Sequence, residues 1–291
     1  MDYEGIVIRP PSEARSLILQ ATFGCSHNKC TFCPTYKGSR FRIKEQERLF
    51  AEIDEAASWG PIFRKVFLAD GDGLIIPTQR LAAILEKINE RMPWIERVGI
   101  YGNTKSVLRK TVLELKELAG LGLKIVYLGL ESGDPKVLEG VKKGVTVEQM
   151  IEASKRIKDA GMQISVTALL GIAGVEGSER HAQLTGEALT NMDPNYAACL
   201  TVMVVPNTEL YESRENGEFV LPDRFGLLQE LAVILRHTNM TSGMFMANHA
   251  SNYLPLRIMM PNGKKEAIEL LEKVVRQRDE RMLKPEWLRA L

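Results

Sequence analysis

Short apolar runs alternate with longer stretches of helical periodicity over the first two thirds of the chain. The runs are residues 16–22 (SLILQAT), 65–69 (KVFLA), 97–101 (RVGIY), 124–130 (KIVYLGL), 163–170 (QISVTALL) and 197–205 (AACLTVMVV). They are short, rich in β-branched residues and mostly end at Gly, Asp, Asn or Pro, which is how strands buried on both faces read. Between them, Leu49, Ile53 and Ala56 share one helical face, and Leu81, Ile84, Leu85 and Ile88 share another. Leu108, Val112, Leu115 and Leu118 form a third stripe. Val147, Met150, Ile151, Ser154 and Ile157 form a fourth, opened by Thr146 as N-cap and closed near Gly161. Residues 177–191 give a weaker helix.

Six strands alternating with five helices predict an α/β fold with a parallel sheet and right-handed crossovers. Six is fewer than the eight of a closed (β/α)8 barrel, so a partial barrel or a doubly wound sheet is expected. After Pro206 the alternation stops. Residues 225–237 and 264–281 read as helices, and 239–261 as an irregular stretch rich in Met, Asn and His. With no flexible linker before it, 207–291 is expected to be an extension packed on a core of residues 1–206.

Composition adds exclusions. Apolar residues make up 45% and charged residues 26% of 291, which is globular and excludes disorder or collagen-like fibres. Lys and Arg (38) nearly cancel Asp and Glu (37), so bulk charge gives no strong nucleic-acid signal. No run approaches the roughly 20 apolar residues of a membrane span. The N-terminal residues do not read as a signal peptide, so the expected location is the cytoplasm.

Cysteine spacing carries the chemistry. Cys25, Cys30 and Cys33 lie in the run Phe23-Gly24-Cys25-Ser26-His27-Asn28-Lys29-Cys30-Thr31-Phe32-Cys33-Pro34, directly after the first expected strand. In parallel α/β sheets, loops at the carboxyl ends of strands hold the active site. Three thiolates on one loop can hold three irons of a [4Fe–4S] cluster, leaving one iron open to a small molecule. A zinc site with His27 as fourth ligand is the alternative, although the paired knuckles of such sites are absent. Cys199, within the last run, reads as a small buried hydrophobe.

These residues resemble the radical S-adenosylmethionine (SAM) enzymes, whose signature is usually C-x3-C-x2-C after the first strand of a partial (β/α)6 TIM-like barrel. Phe32 stands at the family's aromatic position before the last cysteine; the first gap is four residues here, not three. Ala69-Asp70-Gly71-Asp72-Gly73 follows the second strand, where the family has a Gly-Gly-Glu-like stretch; the resemblance implies that Asp70, Gly71 and Asp72 hold the methionyl amine of SAM. Leu128-Gly129-Leu130-Glu131-Ser132-Gly133 is similar to a segment of the branch containing oxygen-independent coproporphyrinogen oxidases and methylthiotransferases, which makes Glu131 a cofactor contact. Gly171-Ile172-Ala173-Gly174 is similar to the family's adenine-cradling region, with Thr167 at the ribose position. Pro206-Asn207-Thr208-Glu209-Leu210-Tyr211 is similar to a P-G-T-P-L-Y segment of that branch.

The resemblance implies reductive cleavage of SAM to a 5′-deoxyadenosyl radical, which abstracts hydrogen from a substrate that the sequence does not identify. A one-electron donor of the flavodoxin or ferredoxin kind is the expected partner. Tyr101 and His249 are catalytic candidates, with Asn248 and Asn252 beside His249 as possible substrate contacts. Arg40, Arg42 and Lys44 are candidates for pairing with an anion. Only a short segment precedes the first run and no cysteine follows Cys199, so neither a cobalamin domain nor a second cluster is expected, which counts against methylthiotransfer. An iron–sulfur electron carrier or sensor, and a zinc-stabilised binding protein, are the alternatives from other classes.

Overall fold

The expected runs become strands because both faces of each are apolar. In the computed structural model, which describes residues 1–290, Val66, Phe67, Leu68 and Ala69 are all fully buried, as a parallel strand covered on both faces requires. The strands are β1 (Leu17–Gln20), β2 (Thr22–Phe23), β3 (Arg42–Ile43), β4 (Lys65–Ala69), β5 (Arg97–Gly102), β6 (Leu123–Glu131), β7 (Gln163–Leu170), β8 (Tyr196–Thr201), β9 (Met244–Met246) and β10 (Arg257–Met259). The helices are α1 (Gln46–Ser58), α2 (Thr78–Arg91), α3 (Thr104–Leu108), α4 (Val112–Gly120), α5 (Pro135–Gly140), α6 (Val147–Asp159), α7 (Gly174–Met192), α8 (Glu209–Glu215), α9 (Arg224–His237) and α10 (Lys264–Gln277).

Two compact units form, interleaved in sequence. The first comprises residues 1–28, 35–128 and 152–164. Its strands run parallel in the order β1, β4, β5, β6, with Leu17 opposite Val66 and Lys65 opposite Arg97. A register shift between Val98 and Gly99 sets Tyr101 opposite Tyr127. The buried residues of α1 (Leu49, Ile53, Ala56) and α2 (Leu81, Ile84, Leu85, Ile88) are the expected stripes. Glu52 lies on the buried face of α1 too, because the Lys44 ammonium reaches it at 2.5 Å. β2 and β3 make a separate antiparallel pair that carries the start of the cysteine loop.

The second unit comprises residues 29–34, 129–151 and 165–291. β8 lies between β7 and β9, parallel to both, and β10 pairs antiparallel with β9. Helix α9 packs on α7 and α10. Residues 207–291 thus share a unit with β7 and β8.

Four expectations need correction. The stretch 239–261 holds two short strands, because Phe245 and its neighbours complete the edge left open by β8. The third stripe is two helices. Thr111 accepts from the Glu114 amide, and Glu114 reaches back to the Thr111 amide, a capping box that starts α4 afresh. The sixth run leaves the sheet after Thr201, although Val202 remains buried. The last helix stops at Gln277, where Arg278 turns left-handed at φ 48°.

Candidate functional site

Glycine makes the bed for the first cysteine. Gly24 (φ 76°) turns the chain out of β2, and its carbonyl accepts from the Gly71 amide at 3.2 Å. A Cβ on Gly71 would lie 2.8 Å from Cys25 Cβ and 2.9 Å from Tyr36 Cε2, so only glycine fits where the loop after β4 passes Cys25.

The flanking acids brace this arrangement. Asp70, in the left-handed region at φ 81°, accepts from Gln20 Nε2 at 2.8 Å and Tyr36 Oη at 3.0 Å. Asp72 accepts from the Asn103 amide at 3.0 Å, Ser26 Oγ at 2.5 Å and Ser106 Oγ at 2.6 Å. Burial raises both carboxyls above the usual range, and these hydrogen bonds act against it. Neither side chain is exposed beyond 1%, and their oxygens are bonded to these donors.

Tyr101, next to last in β5, sets its ring edge-on to Phe67 at 5.0 Å, and burial raises its phenol. The basic residues after the loop are committed elsewhere. Arg42 stacks on Phe23 with its carbon 3.9 Å from the ring centroid and pairs with Glu4. Lys44 is buried on Glu52. The expectation that these two meet an anionic ligand is therefore corrected; Arg40 is exposed.

In the second unit, the Cys33 amide donates to the Cys30 carbonyl at 3.4 Å. Thr31 holds this part of the loop, donating to the Val141 carbonyl and accepting from the Leu210 amide, each at 3.1 Å. Phe32 packs on the apolar cluster of Val141, Leu169, Ile172, Val202 and Leu210. Glu131 (φ 63°) ends β6 and pairs with Lys143 at 2.8 Å. Gly129 allows this fold-back, since a Cβ there would lie 2.1 Å from Glu131 Oε1. Thr167 lies half-buried on β7, opposite Ala198. Gly171 (φ 80°) closes β7, and its amide donates to Glu230 Oε1 at 2.6 Å.

Residues of the C-terminal stretch are mostly structural. Asn252 accepts from the Thr201 amide and hydroxyl and donates to the carbonyls of Cys199 and Ala247, all within 2.9 Å. Its expected role as a substrate contact is thereby corrected. His249 Nδ1 meets Ser251 Oγ at 2.9 Å, and burial lowers its pKa. Asn248 is exposed, and Cys199 is a fully buried thiol.

Known proteins share this pattern. The Radical SAM superfamily profile matches residues 19–183. The chain belongs to the Radical SAM superfamily. A tRNA uridine(34) acetyltransferase of Methanocaldococcus infernus is 32% identical over 108 residues, which are 36% of this chain and 20% of that protein. A tRNA-2-methylthio-N(6)-dimethylallyladenosine synthase of Dehalococcoides mccartyi is 26% identical over 225 residues, 75% of this chain and 52% of that protein. Among solved structures, the Escherichia coli coproporphyrinogen III oxidase superposes with a TM-score of 0.58 at 13% identity, over 78% of this chain and 54% of that one. The matches thus span from a fifth to about half of those proteins. The structural likeness shows the fold, α/β of the TIM-like barrel kind.

As a radical SAM enzyme, the protein uses a [4Fe–4S] cluster and SAM. Among the described residues, no three His, Cys, Asp or Glu side chains form a ready-made metal site. The donor chemistry nevertheless fits the cluster: Cys25, Cys30 and Cys33 are partly exposed cysteines on one loop, none of them in a disulfide, with no carboxylate between them. No described helix is long and apolar enough to cross a membrane. Ser26, Tyr36, Ser106, Lys143, His181 and Glu230 brace Asp70, Asp72, Glu131, Ser132 and Gly171, and sequence reasoning missed them. Their side chains act across the fold, so neither spacing nor periodicity marks them. Only Ser26, inside the cysteine loop, could have been singled out.

Proposed function

We propose that the enzyme cleaves SAM reductively and that the 5′-deoxyadenosyl radical abstracts hydrogen from a small-molecule or modified-polymer substrate. The loop of three cysteines, none of them in a disulfide, and the close approach of Gly71 to Cys25 support this reading most directly. Cys25, Cys30 and Cys33 are the residues that would hold the cluster. When bound, that group supplies the electron that breaks a carbon–sulfur bond of SAM, giving methionine and the radical. The radical then takes a hydrogen atom from the substrate to become 5′-deoxyadenosine. One electron per cleavage comes from a flavodoxin- or ferredoxin-like donor. Cysteines held outside disulfides belong in a reducing compartment, so we place the reaction in the cytoplasm.

The chain's own residues position and enclose. In this reading Asp70 and Asp72 fix the bed of Cys25 from beneath, and the contact with the methionyl end passes to the backbone around Gly71. Phe32 shields the second half of the loop from water. Glu131, balanced by Lys143, keeps one carboxylate oxygen for SAM, and the Thr167 hydroxyl suits the ribose. The turn at Gly171 receives adenine. Tyr101 and His249 remain candidates for contact with the substrate. Two relatives are named for tRNA modification, which makes tRNA the first polymer to try.

Electron paramagnetic resonance of the anaerobically reconstituted, reduced protein tests the site. SAM should change the spectrum of the wild type at low concentration and that of Glu131→Ala only at concentrations about tenfold higher. A spectrum indifferent to SAM in the wild type would refute the reading.

A further inference from the structure

Helix α9 is apolar along its buried face, with Leu227, Leu228, Leu231, Ile234 and Leu235 all buried. Glu230 lies among them at 1% exposure. A buried carboxyl is costly unless its oxygens are bonded. Glu230 Oε1 accepts the Gly171 amide at 2.6 Å, and Oε2 accepts from Ser178 Oγ. The amide it takes sits at a left-handed turn that Leu221 and Leu227 close tightly: a Cβ on Gly171 would be 2.7 and 2.8 Å from them. Gly171 is buried, so without Glu230 its amide would lose its partner.

A second buried group joins the neighbouring segment. His181, on α7, meets Ser132 Oγ through Nδ1 at 2.7 Å and the Leu169 carbonyl through Nε2 at 3.1 Å. The carbonyl only accepts, so Nε2 carries the proton and Nδ1 accepts from Ser132. Ser132 follows Glu131, and Leu169 lies two residues before Gly171. The end of β6 is further seated by Thr185, whose hydroxyl accepts from the Gly133 amide at 2.9 Å. The ends of β6 and β7 are thus tied together from α7 and α9.

We propose that Glu230, supported by His181, is a positioning residue that sets the affinity for SAM by holding the Gly171 turn in its bound shape. This rests on the reading that the Gly171 turn and Glu131 receive SAM. No charge is needed for the hold, since a carboxylate, a carboxylic acid or an amide each offers an acceptor to the Gly171 amide. Glu230 contacts no ligand; it removes conformations of the turn that SAM would otherwise have to select against.

The test compares wild type, Glu230→Ala, Glu230→Gln and Ser178→Ala as full-length protein. Amide exchange of the peptide around Gly171, followed by mass spectrometry without cluster, should speed up in Glu230→Ala and stay near wild type in Glu230→Gln. After anaerobic reconstitution, calorimetric Kd and kinetic KM for SAM should rise about tenfold in Glu230→Ala, the effect of one ordinary hydrogen bond. The kcat at saturating SAM should stay within about twofold, and Gln should restore Kd. Should Glu230→Ala fail to fold, Ser178→Ala, which loosens Glu230 without orphaning an amide, should show a smaller shift in the same direction. Wild-type SAM affinity in both variants overturns the proposal alone, as does a Gln variant as weak as Ala. A wild type that binds no SAM overturns the functional reading and this proposal with it.

Discussion

Gly71 carries more of the site than its lack of a side chain would imply. Its substitution by Ala would place a methyl carbon 2.8 Å from Cys25 Cβ and 2.9 Å from Cys25 Cα, the latter backbone and not free to swing away. Relief of such overpacking costs about 1–3 kcal/mol. Gly71→Ala is therefore expected to fold with reduced stability and to take up clearly less iron and sulfide than wild type, measured by iron content and visible absorption after reconstitution. Unchanged iron content would show that the Gly71 contact does not shape the cysteine loop. The residues that reading along the chain places in the site are those whose chemistry is local: three cysteines, Phe32, and the glycines that open turns. The acids show where such reading stops. Asp70 and Asp72 are acids beside a glycine, as an amine-binding loop needs, yet Tyr36, Gln20, Ser26 and Ser106 fill their oxygens from other elements. Burial decides the role of a carboxylate, and burial is a property of the fold.

At the scale of elements, β4 and α2 were legible because the period of their apolar residues fixes both type and buried face. The breaks were less so. Thr111 and Glu114 split one stripe into α3 and α4 through hydrogen bonds that the apolar pattern does not register. Thr111→Ala should cost about 1 kcal/mol, read from denaturant unfolding. Residues 244–246 and 257–259 are too short to read as strands alone, and become strands only because β8 offers an edge. Asn252 fastens that region to β8. Asn252→Ala would leave the carbonyls of Cys199 and Ala247 without this donor and is expected to cost roughly 2–4 kcal/mol. A thermal midpoint lowered by several degrees checks this, and an unchanged midpoint speaks against a fastening role. His249 accepts the Ser251 amide and meets its hydroxyl, so His249→Ala is expected to lower the midpoint too, by less than Asn252→Ala; turnover intact in that variant would remove His249 from the substrate candidates.

For the whole molecule, the buried pair behind the ends of β6 and β7 sets opposed pH responses. Burial pushes Glu230 up to about 7 and His181 down to about 4. From the ordinary Glu value of 4.5 up to about 7, the unfolded chain releases a proton that native Glu230 retains, so this group alone makes stability fall as pH rises. From about 4 up to the ordinary His value of 6.5, the unfolded chain binds a proton that native His181 refuses, so this group alone makes stability rise. Their slopes offset each other between pH 4.5 and 6.5. Denaturant titrations should show Glu230→Gln gaining stability as pH rises through that window relative to wild type, and His181→Gln losing it. Parallel curves for all three proteins would contradict the assignment.

Reductive cleavage of SAM is read from its nucleoside product. Protein reconstituted anaerobically with iron and sulfide is given SAM and dithionite, with and without unfractionated tRNA, and 5′-deoxyadenosine is quantified beside a Cys30→Ala control. The wild type should form nucleoside and the control none. A cluster-loaded wild type that forms no more nucleoside than Cys30→Ala would contradict it.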